Sequence, residues 1–534
     1  MSRKEGFRLQ VYGAVLVLAV IVMSSCSADW PSFRHNPLRT GAQLNHGPLT
    51  DPAKIANLAV SWTFPASAGV VLSPPPGPFR ASPIVIGKVV YIENSNGYFY
   101  AINAADGTLK WQYPPSGSPA LTSTFTCNPS SEGIASAASY ARIGGTDAII
   151  FGAPDRSIGA GLGSGRLFAL NASTGAEIWK SPEIAVLLSD GVTHQQIGYS
   201  SPLVFNDRVY IGVADHCDNP IQRGKVAAVH LADGSIDSGF SFFSTGPPRG
   251  GGVWGSQAGW IDNGIYVTTG NSNIGGPNPT PNHALSLLRL DAKTGSIVWG
   301  WQPVPYDLDQ DPDWSATPSV ILGSCGVLAV GIQKDGWTWA VNAGNGTPGP
   351  ASVRWAFPPG PWVTSGFVSG DGTVHGDTRY LRPGAVWDDV YIVQTGGLPV
   401  ISNALEGFQH LYALNACASD ADRVRWIKDV PNSSGLEYSL GPPTVTHGVI
   451  FVGTDLGHLV VIGDPSITPA SGWRCNNPTI SSASCVASGF TLVPDPAVLK
   501  DIDLHAGAIN TEPVLVGDPV YVSTEGGKVL MLKP

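Results

Sequence analysis

One pattern recurs along this chain: an apolar strand, a short turn, then Ala-Leu/Ile-Asn-Ala-x-x-Gly-x-x-x-Trp. It reads Tyr100-Ala-Ile-Asn-Ala-Ala-Asp-Gly-Thr-Leu-Lys-Trp111, then Phe168-Ala-Leu-Asn-Ala-Ser-Thr-Gly-Ala-Glu-Ile-Trp179, then Leu288-Arg-Leu-Asp-Ala-Lys-Thr-Gly-Ser-Ile-Val-Trp299. Looser copies run from Trp339 to Trp355 and from Leu411 to Trp426. Self-similarity at a fixed period decides architecture before any other feature does. Each copy is one small antiparallel sheet, so the chain is an array of sheets around an axis. A single packed sandwich is excluded.

The composition agrees. Glycine (65) and proline (45) make up about a fifth of the 534 residues, and only 13% are charged. Turn-rich, aromatic-rich and poor in Glu/Lys stretches is an all-β signature. The net charge is −10, and Arg3, Lys4, Glu5 and Arg8 together contribute +2 of it, leaving −12 for the remainder. An acidic chain without a basic stripe argues against nucleic-acid binding.

Arg3, Lys4 and Arg8 precede an apolar run from Leu9 to Met23, which ends in Ser24-Ser25-Cys26. A basic start, a short apolar core and small residues describe a secretory leader over residues 1–25. The run is shorter than the roughly 20 residues of a spanning helix. Met23-Ser24-Ser25-Cys26 is similar to the lipobox of bacterial lipoproteins, which implies lipidation at Cys26 and a periplasmic chain anchored to the outer membrane; ordinary cleavage after Ala28 is the alternative. Membrane contact is expected through this lipid alone. Six further cysteines remain, an even number suited to disulfides in an oxidising compartment. Cys475 and Cys485 bracket a loop-like stretch and form the best candidate pair.

Residues 26–57 read as an arm and residues 58–534 as the ring. Seven full blades are expected from Ala81–Trp111, about Gly133–Trp179, Tyr199–Phe240, Gly252–Trp301, Ser315–Phe357, Gly384–Ile427 and Leu440–Gly463. An eighth opens at Thr511 and stops at Pro534, before its tryptophan strand. Leu58-Ala-Val-Ser-Trp62-Thr-Phe64 has the shape of that missing strand. Pairing it with the C-terminal strands closes an all-β, eight-bladed propeller and removes the exposed edges.

The repeat, the closing strand and several loops resemble the quinoprotein alcohol dehydrogenases, nearest their polyvinyl-alcohol dehydrogenase branch without its cytochrome c domain. The resemblance implies bound pyrroloquinoline quinone (PQQ) and calcium. Gly252-Val-Trp254-Gly-Ser through Ile265-Tyr-Val-Thr-Thr-Gly-Asn271 matches the family's Trp-Gly…Thr-Gly-Asn segment. That match implies Trp254 as the floor beneath the quinone and Asn271 as a calcium ligand. The loop Tyr306–Pro318 holds four carboxylates in seven residues. By the resemblance Asp313 is the catalytic base and a calcium neighbour, with Asp311 the competing choice. Lys334, in Gln333-Lys334-Asp335-Gly336, takes the place of the family's cation at the quinone oxygens. The third blade offers Asp215 and Asp218 ahead of Arg223-Gly224 where the family carries a calcium-binding Glu. Two departures stand out: no Cys-Cys pair occurs, and the seventh blade lacks the tryptophan that precedes it in methanol-oxidising members.

The reading is an envelope dehydrogenase that oxidises a small or polymeric alcohol, or a sugar hydroxyl. Its electrons pass to an external acceptor such as a separate cytochrome or quinone. The alternative is a non-catalytic envelope propeller that binds proteins or polysaccharide; a scaffold has no need to keep Trp254, Asn271, Asp313 and Lys334 together.

Overall fold

The computed structural model describes residues 29–45, 47–66, 72, 74–124, 131–155, 165–185, 197, 199–214, 223–243, 250–260, 262–271, 283–303, 314, 317–334, 337–344, 353–357, 382–394, 408–431, 440–475, 484–487, 489 and 491–534. Cys26 and the leader lie outside the described residues, as do Asp215, Asp218, Asp311 and Asp313.

Eight four-stranded antiparallel sheets form the blades of a propeller. Blade 1 is typical: Ile84–Ile86, Val89–Glu93, Phe99–Asn103 and Leu109–Tyr113, paired in that order. Its second strand reads Val-Val-Tyr-Ile-Glu because both faces are covered. Val90 and Ile92 enter the core shared with blade 8, whereas Tyr91 enters the core shared with blade 2. The apolar core is therefore a set of wedges between adjacent blades, and a blade's second strand is buried on both sides.

The repeated Asn-Ala-x-x-Gly-x-x-x-Trp holds neighbouring blades together. Asn171 Oδ1 accepts from the backbone N–H groups of Ser173 and Thr174, which closes the turn. Gly175 follows at φ +72°, and the ring of Trp111 from the preceding blade lies against it. Trp111 Nε1 donates to the Ala172 carbonyl at 3.1 Å. Trp62 makes the same bond to Ala104, Trp179 to Leu231, Trp299 to Gly344 and Trp355 to Ala416.

The ring closes as the sequence predicts. Ala59–Phe64 pairs antiparallel with Val529–Lys533, so blade 8 takes strands from both ends of the chain. Two boundaries differ from expectation. The fourth strand of blade 3 is Phe242–Phe243, beyond Phe240. Blade 7 does not end at Gly463: after a hairpin of Gly472–Cys475 with Leu492–Asp495, the chain returns to supply Ala497–Asp503 as its outer strand. No tryptophan marks that strand, and the insertion hides its spacing. Cys475 and Cys485 are bonded within this excursion. A second disulfide, Cys325–Cys417, joins blades 5 and 6 across 92 residues of sequence.

The arm circles the axis. Trp30 bridges Val85 of blade 1, and the Pro31 carbonyl accepts from Tyr140 N–H of blade 2. The carbonyls of Pro37, Leu38, Thr40 and Gly41 then accept from Gly259, Val320, Val386 and Val445, one innermost strand each in blades 4 to 7. Arg39 Nη2 reaches the Pro202 carbonyl of blade 3, and Gln43 Nε2 the Leu515 carbonyl of blade 8. Seventeen residues thus touch all eight blades, over Asp29–Asn45. Arg34 and Arg39 are wholly buried within this loop. Arg34 pairs with Glu512 at 2.9 Å, and burial pulls the Arg39 guanidinium down to about 9.

Candidate active site

Closure brings the start of every innermost strand to the axis. There they wall a cavity of about 110 Å³ that opens to solvent. Phe33 of the arm is part of this wall, so the arm borders the cavity that its own loop helps to enclose.

Hydroxyls line the wall in a relay. Ala137 N–H donates to Ser201 Oγ, Ser201 N–H to Ser256 Oγ, and Ser256 N–H to Thr317 Oγ1, at 2.8–3.0 Å. Glu512 N–H donates to Ser82 Oγ in the same sense across the closing seam. Each hydroxyl is fixed by accepting from the preceding blade, and its own proton is left to donate.

Trp254 also lines the cavity. The Lys334 ammonium lies over its ring, 5.6 Å from the centroid, and the lysine is only 5% exposed. A desolvated cation above an indole is worth about 2 kcal/mol. The loop that carries Trp254 is braced by the Asn271 turn: Gly251 N–H donates to the Asn271 carbonyl at 2.6 Å and Gly270 N–H to the Gly252 carbonyl at 2.8 Å. Trp254 and Asn271, singled out in one sequence segment, and Lys334, singled out in another, are therefore gathered by blades 4 and 5. Trp314, which follows Asp313, bridges Gln333, which precedes Lys334.

The donor set fits a flat anionic aromatic such as PQQ. An indole face suits a planar π-system, and cations with hydroxyl donors suit carboxylates and carbonyl oxygens. For calcium, Asn271 is the one proposed ligand among the described residues; within them no group of three or more His, Cys, Asp or Glu gathers. Sequence reasoning missed Arg80, Arg382 and Phe33, which line the same cavity. It also missed the hydroxyls, whose signal was present: Ser82-Pro83, Ser201-Pro202 and Thr317-Pro318 recur at the head of blades 1, 3 and 5.

The family model for the glucose/ethanol/alcohol dehydrogenase β-propeller domain, the PQQ family, matches residues 39–349. The chain belongs to this PQQ propeller family. Similar proteins agree with that placement. A "putative dehydrogenase XoxF" of Paracoccus denitrificans is 24% identical over 47% of this chain and 43% of its own length. A polyvinylalcohol dehydrogenase of Sphingopyxis is 23% identical over 52% of this chain and 40% of its own. The chain spans less than half the length of these curated relatives. The solved quinohemoprotein alcohol dehydrogenase ADHIIG of Pseudomonas putida shares the fold with a TM-score of 0.65. It is 15% identical, over 96% of this chain and 81% of that one.

Proposed function

We propose that this PQQ propeller is a dehydrogenase of the cell envelope that oxidises an alcohol or sugar hydroxyl with PQQ and calcium as cofactors. The observation that carries the reading is the Trp254 indole on the wall of the axial cavity with the buried Lys334 ammonium above it. When bound, the quinone supplies the two-electron redox chemistry and calcium a Lewis acid. Trp254 gives the apolar face against which a flat ring is held and from which water is excluded. Lys334 places positive charge where oxygens gain negative charge, the preorganised arrangement that stabilises a transition state. Asp313 is the base that takes the substrate hydroxyl proton. Asn271, Asp313 and either Asp215 or Asp218 supply hard oxygen donors for calcium. Electrons leave to a separate cytochrome or quinone carrier.

The disulfides Cys325–Cys417 and Cys475–Cys485 support an oxidising compartment, in keeping with the leader and lipid attachment at Cys26. The test is dye-linked oxidation of an alcohol panel by protein loaded with PQQ and calcium. Asp313→Asn is expected to lower turnover about 10²-fold or more while quinone uptake is retained. An unchanged rate removes Asp313 from its role.

A further inference from the structure

A ring of blades leaves a channel along its axis unless something fills it. Here the arm fills it, at a level set by a constant offset. Ser256, Thr317, Pro383 and Pro442 wall the cavity at the head of blades 4 to 7. In each of these blades an arm carbonyl accepts from the N–H three residues further along the innermost strand, at Gly259, Val320, Val386 and Val445. Blade 1 keeps the offset, with Ser82 on the wall and Val85 against Trp30, and so does blade 2 with Ala137 and Tyr140. At about 3.3 Å per residue, the arm crosses the axis about 10 Å beyond the cavity wall in all six blades.

That level is packed. Gly41 N–H donates to the Arg34 carbonyl at 2.9 Å, which folds the arm back on itself, and the Arg34 guanidinium occupies the space that a Cβ at Gly41 would need. Arg34 extends to blades 8 and 6 and Arg39 to blades 4 and 3, and both are wholly buried. Phe33 differs from them. It is partly exposed, and among the described residues it alone of the arm lines the cavity. The Arg39 guanidinium carbon lies 5.9 Å from its ring centroid, and Arg39 Nη1 donates to the Phe33 carbonyl at 2.8 Å. Phe33 is thus presented by a braced element, the condition for holding a ligand in one place.

We propose that the arm is the floor of the axial site and that Phe33 is its ligand-facing residue, fixing how far a bound molecule sinks along the axis. The floor closes the ring at the arm's level, so ligand and water exchange through the opposite end. An aromatic ring there meets a flat ligand without stranding a polar group. That the ligand is a quinone rests on the PQQ reading above; the floor itself does not.

The test is thiol labelling of Phe33→Cys in the full chain, counted above the labelling of wild type treated identically. Methyl methanethiosulfonate is expected to modify the new thiol in the native protein. A maleimide carried on a long polyethylene glycol chain should react far more slowly until the protein is unfolded. No native reaction with the small reagent overturns the assignment, because Phe33 then does not face the cavity. Equal rates with both reagents also overturn it, because the position then faces open solvent. Saturating PQQ should slow the small reagent, and Phe33→Trp, which raises the floor, should weaken PQQ about tenfold or more, while Phe33→Leu retains uptake. Circular dichroism reports whether each variant keeps its sheets, and a Phe33→Trp variant that folds and binds PQQ as wild type does overturns the depth assignment. If wild type takes up no PQQ, the quinone reading fails and the two labelling rates alone decide the floor.

Discussion

Gly175 shows at one residue how the repeat builds a ring. Its φ of +72° is open to glycine at little cost, and a Cβ there would lie 2.7 Å from the Trp111 ring of the preceding blade. The Ala172 carbonyl, three residues before it, receives both Trp111 Nε1 and the Tyr91 hydroxyl. Glycine and tryptophan are thus two halves of one contact, made between copies of the repeat and not within them. Gly107 beneath Trp62 and Gly234 beneath Trp179 repeat it, at φ +74° and +71°. Gly175→Ala combines left-handed strain of about 1–2 kcal/mol with overpacking of about 1–3 kcal/mol. A loss of about 2–5 kcal/mol in denaturant unfolding is expected. A variant as stable as wild type would show that the blade 1–2 contact tolerates displacement of the indole.

The arm is the element with the largest reach for its length. Its backbone turns through left-handed φ at Arg34 and His35, which lets Arg34 face inward. There its N–H and Nη1 grip the two oxygens of Glu512 from blade 8, and Nη2 donates to the Gly384 carbonyl of blade 6 at 2.6 Å. Burial pushes the Glu512 pKa up and Arg34 opposes it, so the carboxylate depends on its partner for its charge. Arg34→Met strands Glu512 in the interior, and breaking such a buried pair costs about 3–5 kcal/mol. Adding Glu512→Gln removes the stranded charge while keeping an acceptor for Arg34 N–H, and about 1–3 kcal/mol should return. Additive losses in this double-mutant cycle, measured by urea unfolding, would contradict the coupling. Arg39, with bonds to Phe33, Pro202 and Gln257, does the same work between the arm and blades 3 and 4.

At the scale of the whole molecule, the ring and its closure were legible because tryptophan docking demands a fixed spacing, and Trp62 carried that spacing outside the last blade. Trp254, Asn271 and Lys334 were legible through the resemblance of their loops. Arg80 and Arg382 were not: they stand ahead of strands in a position without repeat identity, and only closure brings blades 1 and 6 to a common axis. Cys325 and Cys417 were missed for a related reason, since each hangs from a different blade and nothing local pairs them. Ala497–Asp503 was hidden by the hairpin inserted before it. The architecture is thus written in repeated contacts, whereas the cavity is written in the differences between the repeats. The most direct measurement of the account is equilibrium dialysis of purified protein against PQQ, comparing wild type with Trp254→Ala. One quinone bound per chain is predicted, with uptake weakened about tenfold or more when the indole is removed. Wild-type protein that binds no quinone, or a Trp254→Ala variant that binds it equally well, would contradict the assignment of the axial cavity as the cofactor site.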